Sequence, residues 1–160
     1  MEKVNVVDLT PQSFAGYGSV LSTGPGAPMA DSQEITYWGK VAELEMGTRV
    51  STGYMLCKPR AGVLQQLERH LRTPEILVAL RGDSLVCMAR PSAPGSAAIS
   101  GVQAFHVRQG QAFVMAPGTW HWAAFPTGRA EALFLVVFAS GTESTDLEFA
   151  RLEGPRAVRR

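Results

Sequence analysis

Neither sign of charge dominates this chain: 15 Lys and Arg stand against 14 Asp and Glu, for a net charge of +1. Without a basic excess there is no electrostatic footprint for nucleic acid. The one local run of cations, from Arg151 through Arg156, Arg159 and Arg160, reads as a basic C-terminal tail over residues 151–160, solvated and frayed. Long apolar runs are also missing. No stretch approaches the roughly 20 residues needed to cross a bilayer, and the opening MEKVNVVDLT mixes charges where a signal peptide would be apolar. No membrane partner and a cytoplasmic location are therefore expected. Cysteine is scarce: Cys57 and Cys87 lack metal-type spacing, and without an export signal they are expected as reduced core thiols. No internal repeat or amphipathic helical stretch stands out, which argues against solenoids and bundles.

What is present is a globular composition, 46% apolar and 18% charged over 160 residues, enough for one domain with a real core, placed at residues 1–150. Residues 3–9 read as a first strand. Thr10 followed by Pro11 is a helix start, with Thr as N-cap and Pro in the first turn, and Gly18 would end that helix just after Tyr17. Residues 22–32, STGPGAPMADS, read as a loop. Strand signals then recur at 35–44, 49–58, 63–70, 76–80 and 84–90. After a second loop, PSAPGSAAISG, they resume at 102–107, 111–116, 121–125 and 132–138. Many short strands with punctuating turns imply an all-β sandwich or barrel.

Ligand-type residues concentrate within this pattern. Gly62, Glu68, His70, Glu75 and Gly82 follow one another in GVLQQLERHLRTPEILVALRG. In an extended run, residues two apart share a face about 7 Å from each other. Glu68 and His70 thus point one way and Arg69 the other, and a strand starting near Glu75 can return its carboxylate to the same pocket. His121 follows in GQAFVMAPGTWH. Two imidazoles and two carboxylates suit a divalent transition metal such as Ni, Fe, Mn or Zn, with positions left for water or substrate. Lys58 and Arg60, just ahead of the motif strand, are candidates for binding a substrate carboxylate. His106 reads as a hydrogen-bonded structural residue, and Trp120, Trp122, Phe113 and Met115 as packing residues.

The first spacing resembles the first motif of the cupin superfamily, with Glu68 where His is usual. Pro117, Gly118 and His121 resemble the second motif, with Pro one residue nearer to Gly. The resemblance implies a cupin-type double-stranded β-helix, or jelly-roll barrel, here with a short N-terminal helix. Within the cupins, LTPQSFAGYGSVL, LERH and GTWH resemble the ureidoglycolate lyase family, from about Leu9 to Ala139. That resemblance implies cleavage of ureidoglycolate to glyoxylate and urea in purine and allantoin breakdown, with Glu68, His70 and His121 catalytic and Glu68, His70, Glu75 and His121 as metal ligands. It also implies a homodimer. Several polar family residues are exchanged, for Gln65 and Gln66, for Val114 to Pro117, for Trp122 and Ala123, and for Phe138 and Ala139, which leaves a more apolar pocket. The alternatives are a metal cupin of another activity, such as a dioxygenase or isomerase, and a non-catalytic binding domain.

Overall fold

Period-two alternation carries the architecture. In ALFLVVFA, Ala132, Phe134 and Val136 are buried while Leu133 and Leu135 are only half-buried, as a strand with one face against a core requires. The computed structural model describes residues 1–23, 26–47, 49–93, 99 and 101–159. Its strands are β1 (Glu2–Lys3), β2 (Asn5–Asp8), β3 (Gly18–Leu21), β4 (Ala30–Asp31), β5 (Thr36–Tyr37), β6 (Val50–Cys57), β7 (Val63–Arg69), β8 (Glu75–Arg81), β9 (Ser84–Ala89), β10 (Gln103–Val107), β11 (Ala112–Met115), β12 (Trp120–His121), β13 (Phe125–Pro126), β14 (Ala132–Ala139) and β15 (Glu148–Ala157), with a short helix α1 (Thr142–Thr145) before the last.

Two sheets form the body. One runs β1-β15-β7-β12-β9-β10-β2, with β13 also on β9; the other runs β3-β11-β8-β14-β6. Val86, Met88, Phe105 and Val107 from the first sheet meet Leu77, Ala79, Phe113, Phe134 and Val136 from the second in one buried cluster. Each phenylalanine removed from water there contributes about 2–3 kcal/mol. A second cluster, with Leu67, Leu85, Cys87, Ala104 and Trp120, lies on the opposite face of the first sheet. The result is the all-β jelly-roll barrel of cupin type. Both cysteines are free and buried, as expected of core thiols.

Four expectations change. The expected tail at 151–160 is a strand over most of its described residues: Glu148–Ala157 pairs antiparallel with β7, and the Val158 N–H donates to the Gly62 carbonyl (2.8 Å). Charge hid the alternation there: Arg151 and Glu153 are exposed while Ala150 is buried and Leu152 half-buried, and Arg156, itself half-buried, pairs with Glu2. The strand expected at 35–44 shrinks to Thr36–Tyr37, paired with β4, and Lys40 at φ 55° interrupts any extension. The expected N-terminal helix closes as successive turns. Thr10 caps it as predicted, its hydroxyl accepting from the Ser13 N–H (3.1 Å), but the bond spacing tightens to Tyr17 N–H on the Phe14 carbonyl before β3 begins. The strand expected over 121–125 is broken: His121 faces Met88 and Phe125 faces Leu85, four steps against three, which is a bulge. The predicted loop at 91–101 falls largely, and that at 22–32 partly, outside the described residues.

Candidate metal centre

The ends of β7, β8 and β12 converge because glycine sits at two close approaches. At Gly62 a Cβ would collide with the Val158 carbonyl, so only glycine lets β7 start beside the end of β15. Gly118 adopts φ 83°, in the left-handed region, and donates its N–H to the His70 carbonyl (2.6 Å). That bond ties the turn before Trp120 to the end of β7. The register then sets Glu68 opposite His121 and Glu75 opposite Met115.

His70, Glu75 and His121 come together. Their donor atoms all lie within 4.8 Å of one another. His70 Nε2 is 3.1 Å and His121 Nε2 is 3.3 Å from the same Glu75 oxygen, Oε2. The other ring nitrogens face backbone carbonyls: His70 Nδ1 donates to Asp146 O (2.8 Å) and His121 Nδ1 to Thr119 O (3.0 Å). Since a carbonyl can only accept, each Nδ1 carries a hydrogen and each Nε2 is turned inward, the arrangement by which outer partners orient metal-binding imidazoles. Glu75 Oε2 is buried, yet despite the two nitrogens nearby it has no hydrogen bond of acceptable direction. An orphaned carboxylate oxygen between two inward imidazole nitrogens fits a divalent cation. Glu68 stands at the rim: its Oε1 is 3.9 Å from His121 Nε2, and its side chain is 27% exposed against 10% for the other three.

The electrostatics separate the two carboxylates. Burial pushes Glu75 up, but His121 and His70 outweigh it and hold the carboxyl at about 2. Glu68 moves the opposite way, raised because its burial outweighs the attraction of His121 and His70. Burial lowers both imidazoles, and Glu75 with the carbonyl partners reverses that, leaving His70 and His121 raised. Thr73, Met115, Ala116 and Thr119 complete the wall, and the donors close on one another with no space between them wide enough for a water molecule.

The other residues singled out by sequence lie elsewhere. The Arg60 guanidinium donates to the carbonyls of Ala123 (2.6 Å) and Ala124 (2.7 Å) and lies 4.0 Å from the centre of the Phe125 ring. It thus satisfies the carbonyls freed by the bulge after His121. Lys58 is exposed at the end of β6 and lines none of this pocket. Arg69 faces away as alternation requires, buried against Trp120 and paired with Glu148 at 2.8 Å. His106 is buried between Asp8 and Asp83. Asp146, which also accepts the Leu71 (3.0 Å) and Arg72 (2.9 Å) N–H groups, carried no sequence signal, because it lies 76 residues from His70.

The sequence pattern of the family described as Ureidoglycolate lyase matches residues 1–159. No curated protein matches the chain closely enough in sequence to stand beside it. Among solved structures, the capsular polysaccharide assembling protein CapF from Staphylococcus aureus is similar, with 12% identity and a TM-score of 0.51 over 69% of this chain and 32% of CapF. Oxalate decarboxylase from Bacillus subtilis follows at 14% identity and a TM-score of 0.43, over 68% of this chain and 24% of that enzyme. The chain thus spans about a third of one protein and a quarter of the other, and the CapF likeness concerns the fold alone. With the family pattern running from residue 1 to residue 159, the chain belongs to the ureidoglycolate lyase family.

Proposed function

We propose that this chain is a metal-dependent lyase that cleaves ureidoglycolate to glyoxylate and urea. The observation that carries the reading is the convergence of two inward imidazole nitrogens on one orphaned Glu75 oxygen in a chain of this family. His70, Glu75 and His121 would hold a divalent cation, with Ni, Fe, Mn and Zn all suited to such donors. Bound there, the cation supplies Lewis acidity toward a substrate oxygen.

The proton chemistry falls to Glu68. Cleavage takes the proton from the hydroxyl oxygen on the carbinol carbon, forms the C=O bond of glyoxylate as the C–N bond breaks, and returns a proton to the urea nitrogen. Glu75 is too acidic for that transfer, and each histidine has its Nδ1 on a backbone carbonyl and its Nε2 turned into the donor cluster. Glu68 is at the rim, half-buried, with its carboxyl raised by burial, so one carboxyl can accept the proton from oxygen and deliver it to nitrogen. The apolar wall at Met115 and Ala116 favours a second reading, a metal cupin acting on a less polar substrate. Assembly, on the first reading, is a cytoplasmic homodimer: edge strand β6 exposes Val50, Tyr54 and Leu56, and Leu80 on β8 is exposed as well.

The test is urea and glyoxylate release from racemic ureidoglycolate by metal-loaded and chelator-stripped protein. Equimolar release that needs metal, with kcat falling about 10²–10⁴-fold in Glu68→Gln, is expected. No urea from protein holding one equivalent of metal would end this reading and leave the second.

A further inference from the structure

Beside the metal pocket lies a larger cleft of about 420 Å³, built from the segment before β6, the β7–β8 connection and the chain around α1. Arg49, Arg72, Thr73, Ser140, Thr142 and Thr145 line it. Thr73 also lines the metal pocket, so the two spaces share a wall. The two arginines make the cleft cationic. Its one carboxylate, Asp146, is 8% exposed and already accepts the backbone N–H groups of Leu71 and Arg72. Arg72 is held in place: its NH2 donates to the Thr145 carbonyl and hydroxyl, both at 2.6 Å, while its Nε faces Asp146 at 3.6 Å. Its NH1 makes no hydrogen bond among the described residues. The Arg49 guanidinium has no side-chain partner among them either, although its backbone carbonyl is tied to the Ser140 N–H (3.0 Å). The hydroxyls of Thr73 and Thr142 lie 3.5 Å apart in the cleft, and of the two only Thr73 also borders the metal pocket.

We infer that this cleft is the carboxylate subsite of the substrate, with Arg49 and Arg72 as its cations. The inference rests on the lyase reading and deepens it: the substrate is a small hydroxy acid whose carboxylate sits on the arginines while its hydroxyl carbon reaches the wall at Thr73. The planar Arg49 guanidinium can match a carboxylate through paired N–H donors, which a lone lysine does not, and Arg72 adds its NH1. It also supplies the cation that Lys58 and Arg60 do not bring to the pocket.

Sodium glycolate and neutral glycolamide are the probes, titrated into the full chain with and without one equivalent of zinc and followed by amide NMR shifts. Glycolate is expected to move the signals of Thr73, Ser140 and Thr142 in both forms, and glycolamide to leave them in place. Arg49→Gln, at an exposed side chain, should weaken glycolate binding about tenfold, the loss of one charge-assisted contact. Equal glycolate affinity in wild type and Arg49→Gln, or equal shifts with glycolamide, overturns the inference. Turnover separates it from the lyase reading. Urea release with KM raised about tenfold and kcat unchanged in Arg49→Gln supports both. Release with KM unchanged overturns the subsite alone, and loss of glycolate binding in a protein that releases no urea supports the subsite while the activity fails.

Discussion

Glu75→Gln separates charge from shape at the centre of the donor cluster. The amide keeps the size of the side chain and removes the negative charge that both imidazoles face at 3.1 and 3.3 Å. In the metal-free chain this carboxyl is held down from its ordinary 4.5 to about 2. At roughly 1.4 kcal/mol per pH unit, the ionised group contributes about 3 kcal/mol to folding. Because the Glu75 value is depressed, that contribution is present above pH 4.5 and is lost as pH falls toward about 2. The histidine values are raised from 6.5, so their share is present below pH 6.5 and is lost as pH rises through the folded values. Both are in force between 4.5 and 6.5. Urea unfolding of chelator-treated protein at about pH 5.5 should therefore show the variant less stable by about 3 kcal/mol, and the gap should narrow at about pH 9. Zinc should stabilise the wild type and move the variant far less, since the ionised carboxylate is one of the three donors that would hold the cation. An equal loss at both pH values would mean that Glu75 acts by packing, and the electrostatic account of the site would be wrong.

Two further outcomes test the fold around the site. Burial pushes the Cys87 thiol up to about 12 and raises Cys57, so neither should react with a disulfide reagent at about pH 8 until the chain unfolds; rapid labelling of native protein would show an open barrel. Arg60→Ala should cost about 1–3 kcal/mol in denaturant unfolding, from the lost bonds to the bulge carbonyls and the Phe125 ring, and leave KM for ureidoglycolate unchanged. A raised KM at wild-type stability would return Arg60 to the substrate.

Local rules made part of this molecule legible before any folding. Alternation of apolar and polar residues marked nearly every long strand, because a half-buried strand exposes every second side chain to water whatever its partner. The same period put Glu68 and His70 on one face and Arg69 on the other, as found. Spacing could nominate His70, Glu75 and His121 as donors, since each falls at the end of a strand that a turn brings back. It could not rank the carboxylates. Glu75 is central and Glu68 peripheral only because the turn before β8 drops Glu75 between two imidazoles while Glu68 ends at the rim. Nor could it choose among the arginines: Arg60 is drawn to a bulge 63 residues away, and Arg49 meets Arg72 in a cleft closed by the chain around α1. The tail shows the same limit, since its arginines mark a solvated segment until β7 offers unpaired backbone groups and turns 148–157 into a strand. Sequence alone determined which residues alternate and which carry donor atoms, because these are properties of neighbours along the chain. Which donors meet, which charges are satisfied and which stay open to a ligand were decided by contacts across many tens of residues, where register and burial, and no local preference, set the distances.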